Sequence, residues 1–182
     1  MRKIVLLVAL GCALTACSPD NPAPAAPSPS VTVTPSANPS TDPLYLEAVD
    51  VYKKFHKELS QAEMSGFQPS SLSPMIDPYV TGTMKEAFET AYQADRKSGL
   101  ILTGTAPASL TFAPNPGTSR AKSVVSIRVC RDASKLQITD KDSKEKMGSG
   151  TLTYQEVFFQ QQEGKMRGFA IDTKDIRECP IS

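Results

Sequence analysis

The sequence is poor in the residues that usually bind metals or carry catalysis. It contains one histidine, four cysteines and no tryptophan in 182 residues. A zinc site takes about four ligands, commonly Cys or His in close pairs, and no such grouping is present. Cys-x-x-Cys redox, Gly-x-Ser-x-Gly nucleophile and phosphate-loop motifs are also missing. We therefore predict no metal and no cofactor, and the sequence assigns no catalytic residue. It leaves open whether the protein is an enzyme, with a non-enzymatic role favoured.

The charges are balanced, which bears on the class of partner. Lys and Arg number 20 and Asp and Glu number 19, a formal net charge of +1. Loss of the basic pair Arg2 and Lys3 would leave 18 basic residues against 19 acidic ones. Nucleic-acid-binding domains usually present a strongly basic face, so no nucleic acid is expected as a partner.

The longest apolar run of the sequence has only about ten residues and lies near the start of the chain. Residues 4–13 follow a basic beginning. They are too few to span a bilayer as a helix, which takes about 20 apolar residues, but suit the core of a signal peptide. The next four residues, "LTAC" (14–17), resemble a bacterial lipobox, whose cysteine is diacylated and becomes the new N-terminus. We predict a lipoprotein signal peptide at 1–16, cleaved between Ala16 and Cys17.

Lipidation of Cys17 would determine where in the cell the protein is located. Two acyl chains of the palmitate type anchor a protein stably in a bilayer, so we expect a lipid-anchored protein on the extracytoplasmic face of the cell membrane. Cys12 is a poorer acceptor, because cleavage there would leave the apolar core too short. The alternative is plain secretion after the small-x-small site at 23–25, which lies far from the apolar core.

Residues 17–42 begin with the lipid acceptor and continue as a segment rich in proline, serine and alanine. Positions 18–42 hold seven prolines and two charged residues, Asp20 and Asp42. Such a composition cannot form a core, so a disordered linker is expected. Extended proline-rich chain rises about 3.1 Å per residue, which gives a reach of roughly 75 Å. We interpret the linker as a passive spacer; an O-glycosylated stalk is the alternative.

The remaining residues, 43–182, have the size of one domain with its own core. Asp42 and Pro43 have the pattern of a helix N-terminus. Apolar residues then recur at steps of three and four, which predicts an amphipathic helix. A second helix is predicted over about 83–97, with Gly99 as its stop.

After the helices, the pattern changes to the alternation typical of strands. Strands are predicted at 100–106, 109–113, 122–130, 151–160 and 165–174. The proline-broken segment 69–78 and the charged segment 140–150 are interpreted as loops. Helices followed by an antiparallel sheet define an α+β fold, in which the helical stripes cover one face of the sheet.

Three segments carry a resemblance to a known family. "IRVCRDAS" (127–134), "GTLTYQEVFFQQQEGKMRGFAI" (150–171) and "REC" (177–179) resemble secreted lipoproteins of high-GC Gram-positive (actinobacterial) bacteria with the nuclear-transport-factor-2-like cone fold. The resemblance covers about 43–180 and implies N-terminal helices packed on a curved antiparallel sheet, a cystatin-like cone. Met166 departs from the family, which often has tryptophan there.

Cys130 and Cys179 are the cysteines left after the signal peptide and the lipid acceptor. An oxidising, extracytoplasmic location and an even remainder predict a disulfide between them. By the loop-entropy estimate such a bridge contributes about 4 kcal/mol, less any strain.

A cone fold can leave a cavity between helix and sheet. Tyr92 and Phe158 are candidate lining residues, although aromatic residues at such spacings more often belong to the core. Asp132 and Asp172 are the candidate carboxylates by position on the sheet. Asp172 is out of phase with its apolar strand neighbours, and Asp132 follows a strand, where a turn-forming Asp is ordinary.

His56, the only histidine, lies on the first predicted helix with Tyr52 and Leu59 one turn away on either side. A catalytic base would need a reacting proton within about 3 Å and a group to orient it. We prefer the interpretation that His56 lies at the edge of a contact between helix and sheet.

These observations predict a tethered, non-catalytic binding or interaction module at the cell envelope. Its expected partners are the membrane, through the lipid on Cys17, and an unidentified envelope protein or small ligand. Two alternatives stay open. One is a protein with a pocket for a small apolar ligand, and the other is a cone-superfamily isomerase or dehydratase with Asp132 or Asp172 as base.

Overall fold

The computed structural model describes residues 39–181. Within them, a 3₁₀ turn at Pro39–Thr41 precedes three helices: α1 (Pro43–Met64), α2 (Ser73–Ile76) and α3 (Gly82–Ser98). Seven strands follow in the same part of the chain: β1 (Leu100–Thr103), β2 (Ser109–Pro114), β3 (Val125–Asp132), β4 (Gln137–Asp140), β5 (Lys146–Ser149), β6 (Leu152–Gln162) and β7 (Lys165–Asp175). The predicted signal peptide, Ala16 and Cys17, and most of the predicted linker lie outside the described residues.

Helix α1 begins where the sequence predicts it. The Oδ1 atom of Asp42 accepts hydrogen bonds from the backbone N–H groups of Leu44 and Tyr45, at 2.8 and 3.3 Å, and Pro43 fills the first turn. The buried positions of the helix recur at three- and four-residue steps and therefore share one face. They are Tyr45, Ala48, Val49, Tyr52, Phe55, His56, Leu59, Ser60 and Ala62.

The strands form two antiparallel sheets. In the larger sheet the order is β2-β3-β6-β7, and in the smaller one it is β1-β4-β5. The hairpin between β6 and β7 turns at Glu163 and Gly164, which both have positive φ, 54° and 72°. Positive φ at both central residues is what a type I′ hairpin turn requires.

The core lies between the helices and one face of the larger sheet. Helix α1 packs against β3 and β7, and α3 packs against β7. Because side chains alternate faces along a strand, every second residue of β3 and β6 points toward α1. The largest fully buried side chains of this cluster are those of Tyr52, Phe55, Leu72, Ile76, Val80, Met84, Ile127, Val129, Val157 and Phe159.

The α+β prediction is confirmed, with helices first and an antiparallel sheet after them. Two segments predicted as loops contain regular structure: β4 and β5 pair across the charged segment, and α2 lies in the proline-broken one. Strands of four residues such as β4 and β5 are too short to show an alternating apolar pattern, and a four-residue helix is too short to show a helical period. The last residues of the predicted linker, 39–41, form the 3₁₀ turn.

The predicted cysteine pair is a disulfide in the structure. Cys130 and Cys179 are bonded, with their Cα atoms 6.0 Å apart. Cys130 is one residue from Val129 and three from Ile127, whose side chains point into the core. Because side chains alternate faces along a strand, Cys130 lies on the sheet face that points away from α1. The bridge therefore fastens the C-terminal segment, including the buried Ile181, to that outer face.

Candidate functional site

A row of polar side chains lies between α1 and the larger sheet. The Tyr52 hydroxyl donates a hydrogen bond to Oε1 of Gln155 on β6. One turn further along α1, Nε2 of His56 accepts a hydrogen bond from Nε of Arg131 on β3, at 3.3 Å. Arg131 also donates from Nη2 to Oε2 of Glu63, at 2.8 Å. The row places a set of polar groups, linked by hydrogen bonds, beside an apolar core.

His56 is held on several sides. Its ring stacks on Tyr52, with the ring centroids 6.5 Å apart and the planes 17° apart, and the residue is 5% exposed. Ser60 Oγ lies 3.5 Å from the same Nε2 atom that Arg131 engages. Since Nε2 accepts from Arg131, the neutral ring carries its proton on Nδ1. Within residues 39–181, Nδ1 has no hydrogen-bond partner.

Burial sets the protonation of this row. Burial, together with the positive charge of Arg131, lowers the pKa of His56 to about 4. Burial raises the pKa of Glu63, and it outweighs the lowering caused by the Arg131 guanidinium. His56 is therefore neutral near pH 7, and the charges of the row are those of the Arg131–Glu63 pair, whose side chains are each 16% exposed.

A groove lies between α1 and the segment that joins β1 to β2, and we call it the α1 groove. Its volume is about 540 Å³, within the usual range for small-ligand sites. The lining residues are Lys53, His56, Lys57, Ser60, Gln61, Met64, Ser65 and, from the segment between β1 and β2, Pro107. His56 and Ser60 are buried, whereas Lys53 and Lys57 are exposed. The polar row thus reaches the surface at this groove.

The structure places the predicted aromatic lining residues apart. Tyr92 is buried beside Phe67, with ring centroids 5.3 Å apart, and its hydroxyl donates to the Pro69 carbonyl at 2.8 Å. Phe158 is buried outside the main core cluster, under the Arg120 guanidinium, 4.7 Å from the ring centroid. Consecutive residues of a strand point to opposite faces. The expectation that Phe158 lines a cavity between helix and sheet is therefore wrong.

The two predicted carboxylates have structural partners. Oδ1 of Asp132 accepts hydrogen bonds from Ser134 N and Oγ, at 2.9 and 2.6 Å, and these bonds lower the pKa of Asp132. Asp172 forms an ion pair with Arg120 over the outer face of the sheet. Asp132 is a turn-forming residue, and Asp172 helps to hold Arg120 over Phe158.

His56 stands out in the sequence, whereas the residues that engage it do not. Arg131 continues the inward-facing alternation of Ile127 and Val129, so its position in the strand is a readable sign of a buried charge. A buried charge calls for a partner on the covering helix, and Glu63 supplies it. Which acidic residue of α1 is the partner depends on the register between helix and sheet, which the sequence does not show.

Comparisons with known proteins leave the family open. No family model matches the chain, and no curated protein matches it. Among solved structures, the intermembrane space region of the chloroplast protein ARC6 is similar at TM-score 0.49 and 13% identity, over 72% of this chain and 97% of that one. A cystatin-like protein of unknown function from Nostoc punctiforme is similar at TM-score 0.35 and 11% identity, over 74% and 92% of the two chains. Similarity at this level assigns neither a family nor an activity.

Across residues 39–181, no helix combines the length and the apolar composition needed to cross a membrane. The same residues hold no cluster of three or more His, Cys, Asp or Glu side chains placed to bind a metal ion.

Proposed function

We propose that the protein is a membrane-anchored extracytoplasmic lipoprotein whose domain is a non-catalytic binding module at the cell envelope. The observation that carries the proposal is the engagement of His56 by Arg131. A general base needs a lone pair that the substrate's proton can reach. The lone pair on Nε2 of His56 already accepts a hydrogen bond from a cation, and protonation there would bring two positive charges together.

The candidate carboxylates support the same conclusion. A carboxylate general base works best when its pKa is raised toward neutrality, but hydrogen bonds from Ser134 lower the pKa of Asp132. Asp172 is ion-paired with Arg120. A domain whose titratable groups are engaged with one another is suited to present a fixed surface.

Three features support the location. The "LTAC" segment (14–17) resembles a lipobox, and the proline-rich residues after it would hold the domain roughly 75 Å from the bilayer at full extension. The disulfide between Cys130 and Cys179 is of a kind that persists in oxidising compartments outside the cytosol. The resemblance to cone-fold lipoproteins of actinobacteria points the same way.

Metabolic labelling tests the anchor. The full chain is expressed in a Gram-positive host that is fed an alkyne analogue of palmitate. The Cys17→Ser variant should lose the label and leave the membrane fraction, whereas the matched variant Cys12→Ser should keep both. Protease added to intact cells should digest the anchored domain. Label that persists in C17S, or a domain protected from protease until the cells are lysed, would contradict the proposal.

A further inference from the structure

We propose that the α1 groove binds a small amphiphilic anion, a carboxylate or phosphate monoester carried on an apolar body. This inference rests on the proposed function in that it gives the binding module its ligand class, but it does not depend on the lipid anchor.

The charges at the groove call for an anion. Lys53 and Lys57 are both exposed and line the groove four residues apart on α1. Like charges at this spacing destabilise a helix. Neither ammonium group forms an ion pair with any residue in the described part of the chain, whereas Lys54 between them is paired with Asp50 at 2.7 Å. The Lys53 ammonium also lies over the Phe112 ring, 5.5 Å from its centroid, a contact that leaves its positive charge without a carboxylate partner. Two cations without acidic partners therefore raise the local concentration of anions at this groove.

The buried part of the groove offers neutral hydrogen-bond donors. His56 carries its ring proton on Nδ1, which has no partner among residues 39–181. The Ser60 hydroxyl, 3.5 Å from Nε2 of His56, can rotate to donate. An acidic head group held by the two lysines would accept hydrogen bonds from such donors, and these are strengthened when the acceptor is charged.

The groove also has an apolar side, which excludes a bare ion as the best ligand. Met64 is half-buried, and Pro107 lies opposite the helix on the segment between β1 and β2. Neither offers a side-chain hydrogen bond of normal strength. Their contact with an alkyl or ring group would remove apolar surface from water, at about 25 cal/mol per Å². A ligand with both a charged head and an apolar body therefore fits the groove better than either part alone.

The single histidine makes the groove directly observable. The full chain with Cys17→Ser is exported through an oxidising compartment and purified without a histidine tag, so that His56 gives the one imidazole signal in an NMR spectrum. Three probes are titrated: octyl phosphate below its micelle concentration, inorganic phosphate and octyl glucoside. Octyl phosphate should shift the His56 signal to saturation. The other two probes, which lack one half of the proposed ligand, should bind at least about tenfold more weakly.

Variants locate the binding. The double variant Lys53→Gln, Lys57→Gln should bind octyl phosphate at least about tenfold more weakly. Lys54→Gln removes the same charge from the same helix outside the groove and should bind as the parent does. Met64→Gln should weaken octyl phosphate but leave inorganic phosphate unchanged.

A titration with lipid vesicles identifies the source of the anion. Phosphatidylcholine vesicles with and without phosphatidic acid are added to the same protein. Broadening of the His56 signal by phosphatidic acid vesicles alone assigns a lipid head group, and an unchanged signal assigns a free amphiphile. Equal binding of octyl glucoside and octyl phosphate would overturn the proposal, as would equal loss in the K54Q variant or no saturable shift with octyl phosphate. None of these results bears on the labelling of Cys17, so the two proposals fail separately.

Discussion

The Arg131 guanidinium donates from Nε to Nε2 of His56 at 3.3 Å, across the contact between α1 and β3. The same guanidinium is paired with Glu63, at 2.8 Å. One arginine therefore fixes the ring tautomer of the only histidine and neutralises a half-buried carboxylate of the helix that carries it. This relationship makes the stability of the helix–sheet contact depend on pH.

Stability should fall as the pH is lowered from about 6.5 to about 4, the ordinary and the folded pKa of His56. Over that interval the unfolded chain binds a proton on His56 and the folded chain does not, so the free energy of unfolding decreases with falling pH. The loss levels off below pH 4, with an upper limit of about 3 kcal/mol. Urea titrations at a series of pH values would measure it.

The His56→Gln variant is the control for this effect, since its side-chain oxygen can still accept from Arg131 but does not titrate in this range. Glu63, whose pKa is raised by burial, acts in the opposite direction in both proteins. The difference between the two stability curves therefore isolates His56. Parallel curves between pH 6.5 and pH 4 would show that the histidine is not held neutral.

Removal of the Glu63 carboxylate should destabilise the domain by about 2 to 3 kcal/mol in Glu63→Gln. The figure lies below the roughly 3 to 5 kcal/mol that an unpaired, fully buried charge costs, because the Arg131 side chain keeps 16% exposure. Replacing both partners by methionine should cost less than E63Q alone. Asp50→Asn breaks an exposed pair on the same helix and should leave the urea midpoint unchanged. An E63Q protein as stable as D50N would contradict the prediction.

Loss of the disulfide should destabilise the domain by about 4 kcal/mol, given a loop of 49 residues in the chain-entropy model. We expect Cys130→Ala, Cys179→Ala in the C17S background to match the reduced parent in denaturant titrations. Addition of reductant should shift the parent and leave the double variant unchanged. If the oxidised parent and the double variant had equal midpoints, the bridge would contribute nothing to stability.

Arg120 should stabilise the outer face of the sheet mainly as a cover for Phe158. The Arg120→Ala substitution removes the guanidinium that lies 4.7 Å from the centroid of the Phe158 ring. We expect this loss to lower the free energy of unfolding by about 1 kcal/mol. Asp172→Asn removes only the exposed ion pair and should cost less. Thermal unfolding of the two variants decides between these roles, because equal losses would assign the stabilisation to the ion pair instead.

Local patterns made the helices and the main sheet predictable. Asp42 and Pro43 mark the start of α1, and Gly99, with a φ of 73°, ends α3 in the left-handed conformation that glycine favours. The alternation in β3 identifies its buried face. In contrast, Lys146 to Ser149 and its partner strand are short and half-exposed, and their pairing depends on the rest of the fold.

The candidate site was predictable only in part. His56 stood out because it is the single histidine of the chain. Its neighbours Arg131 and Ser60 are separated from it by very different distances in sequence, and the long-range contact is set by packing of α1 on the sheet. Phe158 and Phe159 are adjacent in an apolar strand, and the sequence alone does not show which of the two faces the helices.

The bridge between Cys130 and Cys179 also closes a covalent ring that contains β4, β5, β6 and β7. Lys141 and Lys144 lie on the exposed turn between β4 and β5, where a trypsin-like protease can cut. A cut there opens the chain without dividing the molecule, so a nicked protein keeps its mass on a non-reducing gel and separates only after reduction. A domain displayed outside the cell could be cleaved at its most accessible turn and still stay in one piece.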